Sequence, residues 1–103
     1  MTVYMLDFGF EGNINSETGE ELRNQVEFWN ENFYQRVFLN YSTAKDMAGE
    51  IIQGISEEIK GFDWFNGINF EVVSESLCRF VLHYEENGEY MNVYAFINVI
   101  ETE

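Results

Sequence analysis

SLCRFVLHYEENGEYMNVYAFINV, residues 76–99, carries the strongest hairpin signal in the chain. Two β-rich runs meet at Asn87-Gly88, and both of those residues tolerate the positive φ of a type I′ turn. A two-residue loop there sets the register, pairing Tyr84 with Met91, Leu82 with Val93, Phe80 with Ala95 and Cys78 with Ile97. All four pairs are apolar and share one face. The other face carries Glu85 with Tyr90, His83 with Asn92, Val81 with Tyr94 and Arg79 with Phe96, a mixed and half-wet surface. Turn chemistry and side-chain alternation therefore predict the same hairpin independently.

Working outward, Ile68 to Val73 reads as another strand, with Ile68, Phe70 and Val72 on one side, and Ser74-Glu75-Ser76 turns it into the hairpin. The result is a three-stranded antiparallel meander. Before it, Gly61-Phe-Asp-Trp-Phe-Asn-Gly67 is a glycine-bounded aromatic loop, expected either to lid the core or to expose an anchor for a partner. Thr43 to Lys60 is the clearest helix. Ala44, Met47, Ala48, Ile51, Ile52, Ile55 and Ile59 form one stripe at 3.6-residue spacing, with Ser42 or Thr43 as cap and Lys60-Gly61 as stop. Gly49 and Gly54 interrupt it, which suggests close approach to a sheet.

The N-terminal half is less decided. Thr2 to Phe10 alternates, with Tyr4, Leu6, Phe8 and Phe10 on one side, and reads as a strand. Residues 16–32 support two readings. Leu22, Val26, Trp29 and Phe33 recur at helical spacing, and Thr18 with Glu21 resembles a capping box. Gly19 in the first turn, and a strand over Gln25 to Trp29 turning at Asn30-Glu31-Asn32, argue the other way; the helix is favoured. Tyr34 to Tyr41 is β-rich and reads as a strand. The expected class is α+β: a single domain over residues 1–103, with an antiparallel sheet packed by one or two helices.

Charge carries most of the functional reading. Nineteen acids stand against five bases, a net charge of −14, divided between the two halves of the chain. The field therefore belongs to the folded body, where it repels nucleic acid and anionic membrane and attracts basic surfaces. The lone Cys78 excludes an internal disulfide and fits a reducing compartment, and no apolar run is long enough to span a membrane, so the expected location is the cytosol. Catalytic patterns are lacking: His83 is the only histidine, and the hairpin register puts it on the face opposite Cys78. No zinc, calcium or phosphate-loop spacing occurs, so no cofactor or metal is expected and the chain is read as a non-enzyme.

Three features point to a partner. The hairpin register sets Glu86 opposite Glu89 with Glu85 adjacent, and opposed like charges destabilise a sheet. The outer face of the long helix carries Asp46, Glu50 and Glu57, with Glu58 alongside. Four helical residues rise about 6 Å, against a phosphate every ~3.4 Å along each strand of duplex DNA, so one carboxylate per turn imitates part of a phosphate row. Trp64, in the aromatic loop, is the candidate anchor.

In size, proline-free α+β character and distributed acidity, with the Asp46/Glu50/Glu57/Glu58 face and the 85–89 tip, the chain resembles the acidic anti-defence proteins of phages and mobile elements. These include DNA-mimic antirestriction proteins and anti-CRISPRs. The resemblance implies an inhibitor that blocks a basic nucleic-acid-binding surface of a host enzyme or effector complex, without touching nucleic acid or membrane itself. The expected contacts are Asp46, Glu50, Glu57, Glu58, Glu85, Glu86, Glu89 and Trp64. A second reading is an immunity or antitoxin-like module neutralising a basic toxin, or a small assembly subunit, with dimerisation through the strand beginning at Thr2.

Overall fold

The computed structural model describes residues 1–13, 17–59 and 61–102. Its elements run β1 (Thr2–Gly12), α1 (Glu17–Asn32), α2 (Tyr41–Glu58), β2 (Phe65–Ser74), β3 (Leu77–Glu86) and β4 (Glu89–Glu101). The four strands form one antiparallel sheet in the order β1-β4-β3-β2. This is the expected α+β class.

The hairpin has the register its turn dictates. Tyr84 faces Met91, Leu82 faces Val93, Phe80 faces Ala95, Cys78 faces Ile97, and Glu86 lies opposite Glu89. Asn87 and Gly88 both take positive φ, at 52° and 81°. The meander extends to β2, and β1 adds along the far side of β4, placing the two central strands in the middle of the sheet. Beyond Gly12 the ladder is prolonged by Asn13, whose backbone N–H donates to the Tyr90 carbonyl while its side-chain oxygen accepts from the Tyr90 N–H.

Both helices lie over the face carrying Leu6, Phe8, Leu82, Met91, Val93, Ala95 and Ile97, all buried. α1 contributes Leu22 and Val26, and α2 contributes Ala44, Ala48, Ile51, Ile52 and Ile55. The helical reading of residues 17–32 thus holds, because a strand could not have delivered Leu22, Val26, Trp29 and Phe33 to one core. Thr18, however, lies inside α1, so it is not a cap; the residue before Glu17 is outside those described. Gly49 does permit close approach, since a Cβ there would meet the Phe80 ring at 3.3 Å, whereas a Cβ on Gly54 would meet nothing.

The expected strand over Tyr34 to Tyr41 does not form. Gln35 takes a left-handed φ of 58°, breaking any extended run. Only Phe38 reaches the sheet, exchanging backbone hydrogen bonds with Tyr4 at 2.8 and 2.9 Å. Its ring packs on Phe33, while Tyr34, Val37 and Leu39 stay exposed. Tyr41 instead opens α2. The cap is Asn40, two positions before the expected Ser42 and three before Thr43, and its side-chain oxygen accepts from the Ser42 N–H at 2.9 Å. The expected stop at Lys60 lies outside the described residues, and Gly61 follows it with φ 98°.

Two further boundaries shift. The aromatic loop is shorter than its glycines suggest, because β2 already begins at Phe65. The second edge of the sheet is irregular: register breaks fall between Phe65 and Ile68 and between Val72 and Ser74. No helix is long and apolar enough to cross a membrane among the described residues.

Candidate partner-binding surface

Antiparallel topology gathers chain segments at the two ends of the sheet. β1 leaves toward the hairpin turn, where Asn13 meets Tyr90, and α1 starts within four residues of that contact. α2 returns to the same end, since the loop after it brings Phe62 onto Tyr84, with rings 4.5 Å apart and edge to face. This end therefore collects Glu17, Glu20 and Glu21 from the start of α1 and Glu57 and Glu58 from the end of α2. Asp63 from the loop and Glu85, Glu86 and Glu89 from the hairpin join them, and every one of these carboxylates is exposed. Asp46 is not with them: eleven helical residues separate it from Glu57, about 16 Å along α2.

These acids are hardly compensated. Among the described residues, Arg79 with Glu71 is the one Lys or Arg ion pair, at 2.8 Å. The four cations among the described residues lie over aromatic rings. Arg23 covers Phe10 at 4.5 Å, Arg36 covers Phe33 at 5.0 Å, Lys45 covers Phe70 at 4.1 Å and Arg79 covers Tyr94 at 4.6 Å. At the hairpin tip, Glu85 lies 3.5 Å from His83 Nε2, and Glu86 accepts a hydrogen bond from the Tyr84 hydroxyl.

Glu50 and Glu58 take a second role. They border a groove between the helices whose walls include Gln25, Trp29, Met47, Ile51 and Ile55, with a volume near 320 Å³. It continues past Glu58 to Glu21, Asn24 and Phe28. Phe28 is 55% exposed and packs edge to face on Trp29 at 5.1 Å. An acidic rim over an aromatic floor suits a lysine or arginine side chain, which lays its aliphatic stem on the rings and its charge among the carboxylates. Sequence reading missed this groove, because it depends on which flank of α1 meets α2.

Trp64 is half-buried rather than offered outward. It packs against Phe62 and Tyr84, at 6.1 and 6.4 Å, and its indole N–H is buried without a hydrogen-bond partner. Phe65 diverges from its neighbours and lies on the opposite face beside His83, at 6.2 Å. Among the described residues that face carries no helix. Tyr94 stacks on Phe96 at 5.3 Å there, and Tyr94, Val81 and Val3 bury themselves against neighbouring side chains. Cys78 is buried on the helix-covered face, 3.7 Å from the Tyr41 hydroxyl, so it and His83 are separated by the sheet.

The edge of β1 is closed at two points. Phe38 occupies the outward backbone of Tyr4, and the Asn30 side-chain amide clamps Phe8, accepting from its N–H at 2.7 Å and donating to its carbonyl at 2.8 Å. Asn30 acts as a one-residue substitute strand. Dimerisation through the strand beginning at Thr2 would have to displace both contacts.

Three tyrosines titrate above the ordinary value of 10.0. Burial raises Tyr94, reinforced by Glu11 and opposed by Arg79; burial and then Cys78 raise Tyr41; the hydrogen bond to Glu86 raises Tyr84. A folded-state value above the unfolded one contributes stability that is complete below pH ~10 and lost as pH rises through the folded value. Chemical denaturation at pH 8 and at pH 11 should therefore show a fall in stability that Tyr94→Phe reduces. Equal stability at the two pH values would contradict this account.

Comparison with protein-family models, curated proteins and solved structures returned no match.

Proposed function

We propose that this chain is an acidic protein–protein inhibitor that occupies a basic nucleic-acid-binding surface of a host defence enzyme or effector complex, excluding DNA or RNA by competition. The observation that carries the reading is that four of the acids at this end, Glu57, Glu58, Glu86 and Glu89, sit where they work against the fold, while Glu17 and Glu20 open α1 in favourable positions. Glu57 and Glu58 end α2 with no base in the last turn, at the negative end of the helix dipole. Glu86 and Glu89 oppose each other across the hairpin. A charge used only for solubility needs neither of these two arrangements.

The contact surface is the carboxylate-rich end, extended by Glu50 and Glu58 along the helix groove. Asp46 lies at the far end of α2 and adds long-range attraction, and Trp64 supports the surface from beneath. Association would be steered by charge and weakened by salt. No catalytic chemistry is assigned, and the free buried thiol of Cys78 fits action in a host cytosol.

Capture from a bacterial lysate on the immobilised chain tests this. Nucleic-acid-binding proteins should elute as salt rises, and added duplex DNA should displace them. Capture indifferent to both salt and DNA would discard the inhibitor reading.

A further inference from the structure

With β1 blocked at Tyr4 and Phe8, β2 is the less obstructed edge of the sheet among the described residues. The β3–β4 ladder directs the backbone of Ser76 toward Val99, so alternation turns Arg79 and Val81 toward Glu71 and Asn69 of β2. The backbone N–H and C=O groups of Ile68, Phe70 and Val72 then point away from the sheet. Register breaks bracket this five-residue run on both sides, and within it the pairing is regular. Val72 is 73% exposed. Such an edge is a template for another strand.

Local charge decides which strand. A chain carrying −14 can approach a copy of itself only where its own field is weak. β2 is such a place: Lys45 lies over Phe70, and Glu71 is neutralised by Arg79. We propose that two copies of this chain pair antiparallel through β2, on a two-fold axis at Phe70. The run is self-complementary about that axis. Ile68 faces Val72 of the partner subunit, Phe70 faces Phe70 of the partner subunit, and Asn69 faces Glu71 of the partner subunit. The sheets join into one of eight strands with all helices on one face. Because the two β2 strands run in opposite directions, the acid-rich ends beside Phe65 lie at opposite extremes of the assembly, where repulsion is least. The proposal goes beyond the inhibitor reading and does not depend on it.

Sedimentation velocity of the full chain tests it, at rising protein concentration and at low and high salt. The mass should move from 12.2 kDa toward twice that with concentration, and salt should strengthen the dimer by screening repulsion, the opposite of its effect on an electrostatic partner. Val72→Pro removes an outward N–H without touching the ladder to β3, and should return the chain to monomer with an unchanged circular dichroism spectrum. Lys45→Glu should weaken the dimer. Amide exchange at Ile68, Phe70 and Val72 of the unsubstituted chain should slow as concentration rises, which keeps the test decisive if Val72→Pro misfolds. A monomer at every concentration, a dimer indifferent to Val72→Pro, or outward amides protected only by a foreign protein would each overturn the proposal. Salt-sensitive capture of a basic partner would survive any of those outcomes.

Discussion

Leu82→Ala should lower the unfolding free energy by about 3–5 kcal/mol, the cost of a Leu-sized cavity that its surroundings cannot collapse. Leu82 is fully buried at the middle of a row that crosses the whole sheet: Ile68, Leu82, Val93 and Phe10 lie side by side on four strands beneath the helices. Its own strand and that of Val93 are held by backbone ladders on both sides, which limits how far the sheet can close on the gap. A domain of this size has roughly 5–15 kcal/mol in total, so the variant should lose a large part of its stability. Urea titration should show a lower midpoint with an unchanged slope. Val72→Ala, on an exposed residue of the neighbouring strand, should change stability by under about 0.5 kcal/mol. Comparable losses for the two variants would mean that the core does not lie where the register puts it.

The second large effect concerns charge, and here function and stability should move in opposite directions. The combined variant Glu57→Lys, Glu58→Lys and Glu89→Lys should lose capture of basic partners, because it reverses three carboxylates of the proposed surface. It should also fold at least as stably as the unsubstituted chain. Lysines in the last turn of α2 complement the dipole by about 0.3–1 kcal/mol each, and Lys in place of Glu89 turns a repulsive pair with Glu86 into an attractive one. Thermal melts alongside capture check both halves. A variant that binds as before would discard this end as the contact surface, and one that melts much earlier would show that the acids serve the fold.

What could be read in the sequence was what short range determines. Asn87-Gly88 closes a two-residue loop, so the register of ten residue pairs followed from local chemistry and agreed with the alternation of Leu82, Phe80 and Cys78. The stripe from Ala44 to Ile59 likewise needed only its own periodicity. Tyr34 to Tyr41 misled because β-branched and aromatic residues favour a strand only where an edge accepts them. On the β1 edge Phe38 pairs with Tyr4, and two outward positions further on the Asn30 side chain holds Phe8. Neither the Asn30 clamp nor the pairing of β1 with β4 leaves a local signal, since both join residues far apart in the chain.

The candidate surface divides along the same line. Glu86 facing Glu89, and the exposure of Glu57 and Glu58, were legible from the hairpin register and the helical stripe. The groove joining Glu21 to Glu58 over Trp29 was not, because two amphipathic helices can meet along either flank. The placement of Arg23, Arg36 and Lys45 over rings rather than beside carboxylates was also hidden. An acidic composition is visible in any sequence; how few of its acids meet a base among the described residues requires the fold.

Competition between the chain and DNA for one basic surface is read by displacement. A basic nucleic-acid-binding protein captured by the chain is loaded with fluorescently labelled duplex DNA, and the chain is titrated in while anisotropy is read. The account predicts a fall to the value of free DNA, with a midpoint that rises as more DNA is added. Anisotropy that holds, or rises as all three components assemble, would contradict it.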